Sequence, residues 1–328
     1  MSHKTDGNEF DRISRFFAPL ASAGEGAPGL TNDAALFETA GARLVVTADA
    51  LVAGVHFPEK ESPELIAKKL LRVNLSDLAA MGAVPHACLL VLALPKEVDD
   101  DWLEAFSAGL GEDLGAFGVA LVGGDMVATP GPLTLSLTLL GEAGEEGVMT
   151  RSGARLGDMV LVSGTIGDAT LGLKVMNGEL AGLDETAAGF LSARYRLPEP
   201  RLELGRQLTV MASAGMDISD GLVADLGHIC EASSVGAGID ASRVPLSPAA
   251  RTALVSDLSL MEAILSGGDD YELVFTAVPG REPEITALGE AIGLQLTAVG
   301  TILEGEGVRV EDGCGGEIVL NHTGYKHF

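Results

Sequence analysis

The 328-residue chain is short of cations and cysteines, and each shortage excludes a class of function. Lysine and arginine number 21 against 47 acidic residues, a formal charge of −26, so neither a nucleic-acid backbone nor an anionic membrane surface is an expected partner. A phosphate ligand would need metal ions to reach it. Cys88, Cys230 and Cys314 are odd in number and lack C-x-x-C spacing, which argues against a disulfide framework and a thiolate zinc site. No apolar run approaches the roughly 20 residues of a membrane span. The opening Met1-Ser2-His3-Lys4-Thr5-Asp6 lacks a signal-peptide core, so the expected location is cytoplasmic. Also missing are G-x-x-x-x-G-K-[ST], a kinase glycine loop and G-x-S-x-G, which disfavours P-loop, protein-kinase and common acyl-transfer chemistry. Gly24-x-Gly26-x-x-Gly29 imitates a dinucleotide fingerprint, but Pro28 falls inside it, no strand pattern precedes it and no helix pattern follows.

What is present suffices for two domains, with 47% apolar residues and a Gly/Glu-rich boundary from Gly141 to Gly147. The expected division is 1–147 and 148–328. Phe10, Ile13, Phe16 and Phe17 have helical spacing over 8–17, and Asp33 stands at the mouth of the apolar Ala34-Ala35-Leu36-Phe37. The run from Val45 to Pro58 predicts a strand that delivers Asp49 to its end and His56 to the loop after it, with Gly54 turning the chain. Ser62-Pro63-Glu64 starts a helix that runs to about Gly82. Its stripe of Ile66, Leu70 and Val73 continues to Asp77, which puts a carboxylate on the inward face. An unpaired charge there costs several kcal/mol, so either a Lys or Arg or a bound metal must meet it.

Ala87 to Leu94 reads as a buried strand. A helix with the stripe Leu103, Phe106, Leu110, Leu114 and Phe117 follows Asp99 to Asp101. Val119 to Val122 reads as a strand that ends in Gly123-Gly124-Asp125, where glycine lets backbone approach a ligand. Leu133 to Leu139 alternates with period two, so one face is buried and the other is polar or paired with a second subunit. In the second half a strand from Met159 to Ser163 leads through Gly167-Asp168 into a helix, and Pro198 to Ala212 carries another. Asp217, Ser219 and Asp220 fall at the start of a helix marked by Leu222, Leu226 and Ile229, a place that suits phosphate; plain capping would account for one of the three.

Six aspartates, Asp33, Asp49, Asp77, Asp125, Asp217 and Asp220, thus fall at element ends in a chain with few cations. Hard oxygen ligands without Cys or His suit several Mg²⁺ ions, and Mg²⁺ combines carboxylates with substrate phosphates. A polyacidic site of this kind suggests nucleotide chemistry, but the residues alone imply only Mg²⁺-dependent phosphate chemistry on an unusual fold and name no substrate.

Seven ordered motifs go further: Asn32-Asp33-Ala34-Ala35; Thr47-Ala48-Asp49 with Gly54-Val55-His56-Phe57; Asn74-Leu75-Ser76-Asp77 through Gly82; Gly123-Gly124-Asp125; Thr150-Arg151-Ser152-Gly153-Ala154; Met216-Asp217-Ile218-Ser219-Asp220-Gly221; and Ser266-Gly267-Gly268-Asp269-Asp270-Tyr271-Glu272. Together they resemble the thiamine-monophosphate kinases, of the superfamily that includes aminoimidazole ribonucleotide synthetase. The resemblance implies an α+β fold of two domains, the first with a dimerising sheet and the second α/β, and ATP-dependent phosphoryl transfer to thiamine monophosphate. It implies Mg²⁺ ligation by Asp33, Thr47, the Ala48 carbonyl, Asp49, Asp77, Asp125, Asp217 and Asp220. Gly124, Asp125, Arg151 and Ser219 would contact ATP, with Ser107 standing where an aromatic usually stacks on adenine. His56, Asp269 and Tyr325 would contact thiamine phosphate, and Asp49, Asp77, Asp125, Asp220 and Arg151 would serve catalysis. The chain departs from the pattern at Asn32 (usually Asp), Ala48 (often Thr) and Asp269 (usually Glu). A selenophosphate synthetase or hydrogenase-maturation relative would show a reactive N-terminal or a C-terminal Cys, which this sequence lacks. A non-enzymatic acidic metal-binding protein would explain the charge but not the inward carboxylates.

Overall fold

The computed structural model describes residues 32–39 and 41–325; the helix expected over 8–17 lies outside the described residues. Strands β1 (Ala35–Thr39), β2 (Ala42–Val52), β3 (Ala83–Leu94), β4 (Ala120–Ala128) and β5 (Thr134–Ala143) form one sheet in the order β1-β2-β5-β3-β4. Only β3 and β4 pair in parallel. The alternation after Leu133 does what its period requires: Leu135, Leu137 and Leu139 turn to one face and are fully buried there. Helix α1 (Pro63–Met81) packs on that face through Ile66, Leu70 and Val73, with α2 (Asp100–Phe117) alongside it. Ser62 caps α1 by accepting the Leu65 N–H at 3.4 Å, and Gly82 closes it at φ 71°.

Three strand expectations are corrected. Asp49 lies inside β2 rather than at its end, because β5 continues opposite it and pairs Asp49 with Leu137. Asp125 likewise lies inside β4, opposite Val91. Gly124 is what allows β4 to continue past a bulge at Val122: a Cβ there would sit 1.8 Å from the Leu90 carbonyl oxygen. The third correction concerns β3, which is buried on one face only. Leu89 and Val91 are exposed on the other, and β4 beside them exposes Leu121, Val122, Met126 and Val127.

The second sheet contains β6 (Met159–Ser163), β7 (Ala214–Asp217), β8 (Gly236–Asp240), β9 (Leu273–Ala277), β10 (Leu296–Leu303) and β11 (Gly307–Glu311), in the order β11-β8-β10-β6-β9-β7. All its pairs are antiparallel except β8 with β11. Helices α3 (Asp168–Met176), α4 (Glu185–Arg196), α5 (Leu202–Leu208), α6 (Leu222–Ser233), α7 (Pro248–Ser256), α8 (Leu260–Ser266) and α9 (Glu282–Ile292) surround it. Within 198–212 the α-helix is confined to Leu202–Leu208. The whole is the expected α+β fold.

Helix α1 belongs to both sheets. One side covers β2 and β5, while Ala79 and Ala80 share a core with Leu204, Leu208 and Phe275. The approach is closest at Gly205, where a Cβ would stand 1.9 Å from the Ala79 carbonyl oxygen. Gly205→Ala therefore has to push α5 off α1, an overpacking cost of about 1–3 kcal/mol. The expected result is a lower melting temperature in thermal denaturation; an unchanged one would mean that the two helices separate freely.

Candidate active site at the seam of the two sheets

On β2, Thr47 stands opposite Leu139 and Asp49 opposite Leu137, so both side chains point to the α1 face, with Ala48 between them exposed on the other. From α1, Asp77 meets them, and Thr47 donates its hydroxyl to Asp77 Oδ2 at 2.5 Å. One turn earlier, Asn74 accepts the Asp49 backbone N–H at 3.1 Å and donates to the Leu70 carbonyl at 2.9 Å. Ser76 faces the second sheet and donates to Asp217 Oδ2, the last residue of β7, at 2.6 Å. Asp33, just before β1, completes the group. Carboxylate oxygens of Asp33, Asp77 and Asp217 lie within 4.8 Å of one another.

Cations are scarce at this seam. Arg151 pairs with Asp33 at 2.5 Å rather than with Asp77. Asp33 Oδ2 is nevertheless buried without a hydrogen-bond partner among the described residues. An orphaned oxygen beside two further carboxylates fits a divalent cation with hard oxygen preference, held by Asp33, Asp77 and Asp217. The protonation equilibria respond to the same crowding. Burial, then the charge of Asp33, pushes Asp217 up to about 8, against the opposing Ser76 hydrogen bond and Arg151. Burial followed by Asp49, Asp217 and Asp33 raises Asp77 well above the ordinary carboxylate range.

A second group forms nearer the N-terminal end of α1. His56 lies in the turn after β2, and its Nδ1 accepts the Val52 N–H at 3.0 Å, so a neutral ring carries its proton on Nε2. Lys69 of α1 donates to the His56 carbonyl at 3.1 Å and pairs with Asp269 at 2.9 Å. Asp269 and Tyr271 both adopt positive φ, 70° and 50°. Hydrogen bonds from Asp269 N to Ser219 O and from Tyr271 N to Ile218 O, each 2.8 Å, hold that conformation.

Two family models divide the chain between them: AIR synthase related protein, N-terminal domain, matches residues 31–143, and the C-terminal domain of the same description matches 155–313. A thiamine-monophosphate kinase of Caulobacter vibrioides is 43% identical over 304 residues, which cover 92% of this chain and 85% of the relative. One of Salmonella typhimurium is 41% identical over 326 residues and 98% of each chain. This chain belongs to the thiamine-monophosphate kinase family. A solved structure, AaThiL complexed with AMPPCP and TMP, superposes with a TM-score of 0.83 at 32% identity, covering 97% of this chain and 98% of that one.

The remaining residues expected from the family pattern are spread more widely. Ser219 and Asp220 form the half-buried turn between β7 and α6, and Tyr325, half exposed, donates its N–H to the Asp220 carbonyl at 3.0 Å. The N–H groups of Asp220 and Gly221 are taken by the Asp225 carboxylate, at 3.1 and 3.0 Å. Gly124 shares a cross-strand row with Asp49, through Leu137 and Leu90, and three strand spacings put them roughly 14 Å apart. Asp125 is one residue on and faces away with Val91. Ser107 is exposed on α2 and donates to the Glu104 carbonyl at 2.9 Å.

Several residues around the carboxylate group were given no role from sequence. Asn74 and Ser76 sat inside a quoted motif without a role, although a polar pair beside an inward Asp is a readable sign. Tyr271 is a largely buried phenol whose titration is pushed up by burial, then by Asp269, Asp49, Asp217 and Asp77, so it stays protonated among the acids. His228 of α6 is pushed down to about 4 by burial and Arg151 and is neutral at pH 7.

With the folded value of Asp217 raised, its contribution to stability is full below the unfolded value near about 4 and is lost as pH rises through about 8. In chelator, the melting temperature should fall across that window as pH is raised. Asp217→Asn should flatten the fall, and an equal slope in wild type and variant would refute the assignment.

Proposed function

We propose that this site transfers the γ-phosphoryl group of ATP to the phosphate of thiamine monophosphate, giving thiamine diphosphate and ADP. The observation that carries the reading is the convergence of Asp33, Asp77 and Asp217 from two sheets and the helix between them, within 4.8 Å and with an orphaned oxygen. Family membership and the likeness to AaThiL complexed with AMPPCP and TMP support the same reaction.

Asp33, Asp77 and Asp217 would hold Mg²⁺, joined by Thr47, the Ala48 carbonyl, Asp49, Asp125 and Asp220. Such ions neutralise the ATP tail and the acceptor phosphate. Arg151, Ser219 and Gly124 contact ATP, with the Ser107 face of α2 beside the adenine; His56, Asp269 and Tyr325 contact thiamine monophosphate. The acceptor needs no general base, since a phosphate monoester with a second pKa near about 6 is mostly a dianion at neutral pH. One acceptor oxygen attacks the γ-phosphorus as the bond to the β,γ-bridging oxygen breaks and ADP departs. Positioning and charge neutralisation supply the catalysis.

The functional division is 1–147 for metal, ATP and dimerisation and 148–328 for the closing α/β domain. The homodimer reading is supported by the uncovered apolar residues Leu89, Val91, Val122 and Met126 on β3 and β4. It is supported again by chemistry: Asp125 stands roughly 14 Å from Asp49 along the sheet of one chain, too far for the two to ligate one Mg²⁺ ion, and a partner copy would supply the second of the pair. Acidic charge and a free, exposed Cys314 suit a reducing cytoplasm.

Incubation with ATP, Mg²⁺ and thiamine monophosphate should yield ADP and thiamine diphosphate in equal amounts; ADP without thiamine diphosphate would defeat the reading. Asp49→Asn and Asp77→Asn should each lower turnover by more than about 100-fold with the circular dichroism unchanged.

The composite dimer has its own measurement. Neither Asp77→Asn nor Asp125→Asn chains should be active alone, but after unfolding and co-refolding at equal amounts about one quarter of wild-type activity should return, because half the dimers carry one intact site. No recovery from a dimeric mixture would place each site within a single chain.

A further inference from the structure

Lys69 is a buried cation with three partners. Its side chain is 3% exposed, and its ammonium lies 2.9 Å from Asp269 Oδ1, 3.1 Å from the His56 carbonyl oxygen and 3.7 Å from the centre of the Tyr195 ring. Tyr195 of α4 donates its hydroxyl to the same His56 carbonyl at 3.1 Å. Four segments distant in sequence therefore meet on one charge: the turn after β2, α1, α4 and the positive-φ segment before β9.

The arrangement does more than satisfy a stray lysine. Burying an ammonium costs several kcal/mol unless its hydrogen bonds are replaced, and a hydrophobic residue at this point of α1 would pack without that cost. The two hydrogen-bonded contacts go to irregular segments, and only the ring contact is to a helix. One carries the His56 ring, whose tautomer is fixed from Val52; the other carries the Asp269 carboxylate on backbone at φ 70°. Each segment is held locally by its own backbone hydrogen bonds, within the Val52–Phe57 turn on one side and to Ser219 and Ile218 on the other, and Lys69 bonds to both and ties one to the other. Lys69 is placed to set the distance between them.

We infer that Lys69 is a positioning residue for the phosphate acceptor: it holds the His56 turn and Asp269 in the one relative arrangement that binds thiamine monophosphate, with Tyr195 fixing the ammonium from its ring face. The inference rests on the phosphoryl-transfer reading above. It assigns Lys69 no contact with the reacting atoms and no role toward ATP.

The test separates the two substrates. Lys69→Met keeps the stem and removes the charge, and it should raise KM for thiamine monophosphate about tenfold or more while KM for ATP stays within about twofold. Tyr195→Phe, which removes only one hydrogen bond, should raise the same KM a few-fold and serves if the lysine variant fails to fold. In an Asp269→Asn background, Lys69→Met should add much less than it does alone, because the two act as one unit. Wild-type enzyme inactive on thiamine monophosphate would sink the reaction itself. Active wild type with a normal acceptor KM in folded Lys69→Met, or in Tyr195→Phe if that variant does not fold, would overturn the inference. So would equal rises for acceptor and ATP, or additive effects with Asp269→Asn.

Discussion

Like charges held close together in a poorly solvated seam are the constraint around which this molecule is built. Carboxylates of Asp33, Asp77 and Asp217 within 4.8 Å repel one another strongly where water is scarce, and no packing of the surrounding helices removes that cost. The polar groups around them are arranged accordingly. Thr47 and Ser76 each donate to one carboxylate, Arg151 takes one oxygen of Asp33, and Asn74 fixes the backbone at Asp49. What remains is balanced by a proton or by a cation. The same crowding that raises the titration of Asp217 and Asp77 therefore makes the seam a receptor for positive charge.

Bringing three acids from three elements together requires a rigid organiser, and α1 has that role. Its first turns bury Ile66 and Leu70 against one sheet, and its last turn packs Ala79 and Ala80 against residues of the other. On the second sheet, Glu272 is a further fixed point: fully buried, it accepts from Arg194, Arg201 and Ser163. Its backbone carbonyl accepts the Ile218 N–H, so the strained segment from Asp269 to Tyr271 is tied to the strand that ends in Asp217. A buried ion network of this kind adds little net stability but is costly to break, which suits a part whose geometry must not vary.

Much of this was legible from residues alone because it depends on local chemistry. Ser62, Pro63 and Gly82 bound α1 through capping and backbone preferences, and the stripe through Val73 was enough to turn Asp77 inward. The limits of β2 and β4 were not legible, for a non-local reason. Gly123-Gly124-Asp125 has poor intrinsic strand preference, yet β3 supplies a complete ladder beside it and the strand continues. The apolar run from Ala87 to Leu94 read as buried, whereas Leu89 and Val91 on its second face are exposed, with nothing among the described residues to cover them. Lys69 was invisible because its partners His56, Tyr195 and Asp269 are separated by up to two hundred residues, and a lysine on a helix next to apolar neighbours reads as a solvated one.

Helix α1 also fixes a length. Lys69 and Asp77 are eight residues apart on an uninterrupted helix, a rise of about 12 Å. Lys69 marks the group proposed to bind the acceptor and Asp77 the carboxylate cluster, and neither can approach the other without breaking the helix between them. The molecule thus carries a built-in ruler. On the proposed assignment an acceptor is selected by reach as well as by shape, since a compound that fills one end of the interval without spanning it would leave its phosphate out of register with the cluster.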